Sequence, residues 1–480
     1  MIAAEWLKFR TVRGWVIAVV VAAAAVAGLG LAAAGQGSCR GGGCQPLTGP
    51  GGEAVSDSFY FVHQPLTGNG TLTVRVSALA SQVPGPRGGQ PVSVPWAKAG
   101  LIVKASLAGG SAYAAVMVTG GHGVRMQDDF TGDIPGPALR AGWVRLVRSG
   151  PLLTGYASAD GTRWTRVGSV RLPGLPATVQ AGLFTASPQY TQTAAGVSQV
   201  SGSPSQSAAS FDHLSTSWPA AGWTGTSAGP AAGPPVPYTE RGGVFTVTGS
   251  GDIAPLTDGP SGLGGTLTET LGGVFVALII LAVVAAMFIT AEYRTGLIRL
   301  TLAACPRRGR VLAAKALVTA LVSFAAGLAG AAVAVPFGQR ALRARGVYLP
   351  PVTALTELRV IAGTAAALAA CAVLALAVGT LARRGAAAVA AVVALIVLPY
   401  VLSVAVPVLP LAAADWLMRV TPAAAFAVEA TVTRYPQVDE VYAPAYGYFP
   451  LAPLAGLAVL CGWAAVAYAP ARLALGRRDA

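Results

Sequence analysis

Six stretches of this chain are apolar for long enough to cross a bilayer, and a segment of different texture separates the first from the other five. The runs are residues 15–34, 271–291, 312–335, 360–382, 386–411 and 451–469. About 20 apolar residues in a helix span the roughly 30 Å of hydrocarbon, so the pattern predicts six transmembrane helices. The fifth run carries Pro399, Pro407 and Pro410 and is expected to kink. A cleaved secretory signal competes for the first run, because Ala32, Ala33 and Ala34 supply small residues at its end. An apolar core of about 7–15 residues is usual for such signals, and this run is longer.

Residues 35–265 are rich in Gly, Pro, Ser and Thr, with short alternating runs between turn residues. Thr71–Val76, Ala99–Ala105, Ala112–Val118, Trp143–Arg148 and Val179–Phe184 read as strands. Asp160-Gly161, between Leu152–Ala157 and Arg163–Val167, marks a hairpin. Many short strands so spaced predict an all-β sandwich over residues 35–216. Residues 217–265 read as a Pro/Gly-rich stalk with one further strand at Val244–Thr248. Residues 1–14, with Trp6, Leu7 and Phe9 beside Lys8, Arg10 and Arg13, suit an interfacial helix. The fold class is therefore a polytopic α-helical membrane protein of six spans, with residues 266–480 supplying the last five and a β-sandwich inserted after the first.

Composition agrees. Hydrophobic residues make up 54%, charged residues only 11% and mean hydropathy is +0.59, against about 25% charged in soluble domains. The net charge of +14 could suggest nucleic acid, but its placement argues for topology instead. Lys8, Arg10, Arg13, Arg294, Arg299, Arg307, Arg308, Arg310, Lys315, Arg383, Arg384, Arg472, Arg477 and Arg478 fall in four short blocks at span ends. Blocks of that kind hold loops in the cytoplasm and meet anionic lipid. Aromatics do not interleave with them as a nucleic-acid platform requires. Both termini are thus expected inside the cell membrane and residues 35–265 outside. Arg340, Arg343, Arg345 and Arg359 run against this bias, in a loop expected to be external.

The connector Met287–Lys315 has more structure than a plain basic loop. Gly296 interrupts it, Leu297, Leu300 and Ala304 recur at helical spacing, and Pro306 ends the run. A short surface helix between two spans is predicted over residues 297–304. Glu292-Tyr293-Arg294-Thr295-Gly296, then Ile298-Arg299, then Pro306-Arg307-Arg308-Gly309-Arg310 leading to Lys315, resembles the first cytoplasmic loop of type 2 ABC transporter permeases. That resemblance implies an exporter permease working by alternating access. A separate ABC ATPase subunit would supply ATP and magnesium, and a second permease copy or homologue would complete the pair. The coupling residues would be Glu292, Arg294, Arg299, Pro306, Arg307 and Arg308. The chain itself contains no G-x-x-x-x-G-K-[ST] phosphate loop, so it is not expected to be an enzyme or to hold a cofactor. Read from the residues alone, Glu292 either ion-pairs with Arg294 or Arg299 or contacts a partner.

Pro95-Trp96-Ala97-Lys98-Ala99-Gly100-Leu101, Trp143–Arg148, Tyr156 with Asp160-Gly161 and Trp164, and Ala181-Gly182-Leu183-Phe184 resemble concanavalin-like (laminin G-like) jelly rolls. This implies a glycan or cell-wall ligand, and leaves open a membrane-anchored carbohydrate-binding or sensory protein that transports nothing. It equally leaves open a mechanotransmitting assembly. Within the sandwich, Asp128, Asp129 and Asp133 form an oxygen-rich loop, a weak calcium candidate against the plainer reading of a solvated turn. His63, His122 and His213 lack metal-like spacing. Cys39 and Cys44 bracket Arg-Gly-Gly-Gly on the outer side and are candidates for a disulfide.

Overall fold

The computed structural model of the chain describes residues 1–36, 45–85, 88–193, 200–219, 222–229, 238–257, 266–304, 307–404, 409–439 and 442–477. Cys39, Cys44, Cys305 and Pro306 lie outside the described residues. Among those described, the helices are α1 (Ile2–Thr11), α2 (Arg13–Gln36), α3 (Val274–Thr295), α4 (Leu297–Ala304), α5 (Arg308–Ala344), α6 (Ala354–Ala382), α7 (Gly385–Val404), α8 (Leu411–Val420) and α9 (Pro453–Arg477). Six helical stretches, built on α2, α3, α5, α6, α7 and α9, are long and apolar enough to cross a membrane.

Small residues decide how these helices meet. A Cβ on Gly330 of α5 would sit 2.7 Å from Val26 Cβ of α2, and one on Gly327 would sit 2.9 Å from Ala365 Cα of α6. Helix backbones approach this closely only where side chains are nearly absent. At 37 residues α5 is about 55 Å long, so it outruns the bilayer. Arg340 and Arg343, expected in a loop, ride on its last turns. Residues 411–429 form α8 and a 3-10 segment, Pro422–Glu429, that meet at 98°. The 3-10 segment is buried throughout and packs against α9 and α6.

The β domain is built from two large antiparallel sheets. One runs 224–228, 59–67, 178–186, 98–104, 113–119, 124–128, 132–135 in strand order. The other runs 165–171, 152–158, 142–149, 70–83, 206–216, 244–249, 239–241, with 90–92 paired to 70–83. Val62, Leu101 and Val116 from the first meet Leu72, Val74, Val144 and Leu146 from the second in one core. Each such side chain contributes about 1.5–3 kcal/mol on burial. The first sheet also buries its opposite face, where Phe59, Phe61, Ile102, Tyr113, Met117 and Phe184 pack on Val55, Phe130 and Ile253. Hence Lys98–Lys104 and Tyr113–Thr119 are buried at every position, without the alternation of a half-solvated sheet.

The expected stalk at 217–265 is corrected by this topology. Thr224–Ala228 pairs with Phe59–Thr67, Val244–Gly249 pairs with Gln206–Thr216, and Ile253–Pro255 pairs with Ala54–Asp57. Phe245 and Val247 are buried in the sandwich core, a demand that the surrounding Gly and Pro obscure in sequence. The hairpin at Asp160-Gly161 is present, with Gly161 at φ +78° and the flanking strands antiparallel. Backbone N–H groups of Arg163 and Thr162 hold the Asp160 carboxyl well below the usual carboxylate range.

His63 is buried between Gln180 Oε1, 2.8 Å from Nδ1, and Thr226 Oγ1, 3.0 Å from Nε2. Burial lowers its pKa below the ordinary 6.5, with the Gln180 bond acting in the opposite direction. A histidine whose folded pKa is depressed leaves stability intact above the unfolded value, and stability is lost as pH falls below it. The thermal midpoint of the full chain should therefore drop between about pH 7 and pH 5. Burial lowers His122 as well, so His63→Gln should make that drop smaller without abolishing it, and an unchanged profile would refute the assignment.

The sandwich touches the membrane half at three described places. Gln437 Nε2 donates to Phe130 O (3.3 Å) and Thr131 O (3.1 Å). Tyr348 Oη donates to Gly52 O at 3.0 Å, and Thr191 Oγ1 donates to Asp439 Oδ2 at 3.4 Å. The contacted turn is strained, since Asp129 (φ +40°) and Phe130 (φ +64°) occupy a region that ordinarily favours glycine.

Candidate functional site

At the opposite end of the bundle the backbone breaks where the sequence predicts. Gly296 adopts φ +72° and caps α3 in the left-handed conformation, for which glycine carries no steric cost. The chain re-enters at once as α4, an eight-residue helix. Ile298 of α4 is buried, whereas Leu297 and Leu300 are 51% and 69% exposed. So α4 rests on the bundle by one side and presents leucines on the other.

Beneath α4 lies a cluster of four charges from three helices. Lys315 of α5 is fully buried, with Nζ 2.7 Å from Glu5 Oε2 of α1 and 2.8 Å from Glu292 Oε1 of α3. The same ammonium stands 4.1 Å from the Phe288 ring centroid, a cation–π contact in a desolvated place. Phe9 and Trp15 meet that ring edge-on at 5.5 and 5.2 Å. Lys8 closes the cluster from the wet side, with Nζ 3.0 Å from Glu5 Oε1, 3.1 Å from Glu292 Oε1 and 3.3 Å from Thr301 Oγ1 of α4. Burial acts to lower the Lys8 pKa, but the bonds and charges of Glu5 and Glu292 outweigh it and raise it. Two carboxylates and two ammoniums leave the cluster neutral, which burial of charge requires. Glu292 Oε2 is buried without a hydrogen-bond partner.

Among the described side chains, Glu292 pairs with Lys8 and Lys315 and not with Arg294, and the Arg299 side chain lies outside those described. The Glu292 carboxylate turns inward to Lys315 and Lys8, while Arg294 is exposed. Arg308 is half-buried and donates from Nη1 to Leu475 O of α9 at 3.2 Å, which gives it a bracing role. Arg307 stands exposed at the start of α5. Sequence reading missed Glu5 and Lys8 as members of the site. The available signal was Glu5 itself, the one acid in the first 50 residues.

The calcium candidates do not converge. Asp133 is ion-paired with Arg125 and accepts from Gln127 Nε2 at 3.1 Å. Asp129 accepts from the Tyr113 backbone N–H at 3.1 Å. Burial raises the pKa of both Asp128 and Asp129. Among the described residues no group of three or more His, Cys, Asp or Glu is placed to hold a metal ion.

No protein-family profile matches the chain, and no curated protein matches it. Solved structures that overlap part of it include the following two. A functionally unknown protein from Saccharomyces cerevisiae is 18% identical over 34% of this chain and 77% of its own, with a TM-score of 0.19. SCP-B, a member of the eqolisin family of peptidases in complex with the tripeptide Ala-Ile-His, is 11% identical over 41% of this chain and 98% of its own, with a TM-score of 0.22. Likeness at that level carries no weight for fold or function.

Proposed function

We propose that the chain is the membrane-spanning subunit of an ABC exporter of the type 2 permease class. It sits in the cell membrane with both termini cytoplasmic and the β domain outside, and couples to a separate ATPase through α4. The observation that carries this reading is α4 itself: a short surface helix pinned between two spans, leucines outward, joined through Thr301 and Lys8 to a buried ionic cluster. A push on α4 reaches α1, α3 and α5 together, because one cluster binds all three. The ATPase would hydrolyse ATP with magnesium, and a second permease copy or homologue would complete the transporter.

A second reading keeps the same motor and changes the load. The Gln437, Tyr348 and Asp439 contacts tie the sandwich to the membrane half, which favours mechanical transmission to an outer wall or glycan partner.

Affinity purification of the full chain in mild detergent tests the shared premise. An ATPase should accompany the wild-type chain, and Leu297→Asp with Leu300→Asp should cut its recovery roughly tenfold, the scale of buried interface anchors. Absence of any ATPase, or equal recovery with the variant, would sink the reading.

A further inference from the structure

A second feature at the α4 end shares Arg294 and Ile298 with the coupling region but lies across α3 from the ionic cluster. The face of α3 turned away from Glu292, together with α7 and the α6–α7 turn, encloses a cleft of about 1290 Å³. Its walls are apolar, from Val283, Met287, Val389 and Val393 among others, and Arg294, Arg383 and Arg384 line it as well. No carboxylate lines it among the described residues, and none of the three guanidiniums has an ion-pair partner there. The single acid on that stretch of α3, Glu292, faces the other way into the Lys315 cluster.

The backbone adds an independent sign. Arg383 caps α6 at φ +56°, where glycine or asparagine is the ordinary choice. A non-glycine residue held in such a cap carries local strain of about 1–3 kcal/mol. The guanidinium so placed lies 5.3 Å from the Tyr293 ring, over another residue lining the cleft.

We propose that this cleft binds an anionic membrane lipid, its phosphate headgroup held by Arg294, Arg383 and Arg384 and one acyl chain laid along α3 and α7. Volume, apolar walls and an unneutralised basic lining together match a phospholipid, and basic pockets between spans are general headgroup sites. A second copy of the chain fits worse. A twofold axis at the cleft would bring the same three guanidiniums against their mates, and like charges repel. This inference rests on the cleft alone and stands or falls independently of the ATPase.

The full chain in neutral detergent, titrated with phosphatidylglycerol and with phosphatidylcholine and read by native mass spectrometry, tests it. At low salt each arginine near a headgroup contributes roughly a factor of five. Phosphatidylglycerol should therefore be preferred on the order of a hundredfold over phosphatidylcholine. Arg294→Gln with Arg383→Asn, the asparagine chosen to suit the left-handed cap, should lower phosphatidylglycerol affinity roughly thirtyfold. Arg140→Gln with Arg171→Gln, which removes equal charge from exposed positions of the β domain, should leave it nearly unchanged. Equal affinity for the two lipids would overturn the site, as would loss of binding to the same degree in both variants. A dimer whose cross-links run through Val389 or Met287 would overturn it too.

Discussion

Lys315→Met should lower the stability of the membrane half by about 3–5 kcal/mol, the cost of removing one partner from a buried ion pair. Thermal unfolding of the full chain in detergent should show a midpoint lower by on the order of 10 °C. The reason is geometric. Lys315 is fully buried and satisfies both Glu5 and Glu292. Without it, Lys8 alone, whose side chain is 40% exposed, would face two carboxylates. Glu292 already carries one unpartnered oxygen, so little slack remains. The triple change Glu5→Leu, Glu292→Leu and Lys315→Met removes the charges together and should recover most of the lost stability. It should still fail to transmit a push from α4, because the ionic tie between α1, α3 and α5 is gone. If the triple variant instead supports full substrate-stimulated ATPase activity in a reconstituted complex, the cluster is merely structural. A single variant as stable as wild type would mean that water reaches Lys315 and the burial argument is wrong.

The six spans and α4 were legible because hydrophobic length and a glycine break are local signals. Each predicted span overlaps its helix, and residues 297–304 are helical as expected. The cluster was legible only in part, since its members stand 284 and 310 residues apart along the chain. No periodicity within α1 reports that Glu5 will meet Lys315. Composition held a hint that went unread. Only Lys8, Lys98, Lys104 and Lys315 among the 33 basic residues are lysine, and every one is ion-paired. Three of those four are fully buried. A compact ammonium on a flexible stem fits such interior pairs, whereas arginine suits the exposed blocks that set topology. The strands at 224–228 and 253–255 escaped notice for a different reason. They are short, they sit among Gly and Pro, and they are held by pairing with strands roughly 160 to 200 residues earlier.

Lys104→Met should have a comparable effect on the sandwich, and its reach should extend to the membrane half. Lys104 Nζ stands 2.7 Å from Asp57 Oδ2 and donates to Ser111 O at 3.2 Å, with both charged side chains 1% exposed. Burial pulls the Lys104 pKa down, and the Asp57 charge pulls it back up. Asp57 also accepts from the Gly110 backbone N–H at 2.8 Å, yet its Oδ1 is buried without a partner. Removing the ammonium leaves an interior carboxylate with one hydrogen bond, at about 3–5 kcal/mol. The Phe130 ring lies 5.9 Å from the same ammonium, and its carbonyl receives Gln437. The strained turn at Asp129 and Phe130 depends on such surroundings to hold its shape. Loosening it should expose residues 128–133 to protease in the folded full chain. Asp57→Asn combined with Lys104→Met keeps an acceptor for Gly110 and removes both charges, so it should restore most of the stability and the protease resistance. If Lys104→Met alone leaves cleavage unchanged, the sandwich is not clamped through Phe130. The tie between the sandwich and the membrane half would then rest on Tyr348 and Asp439.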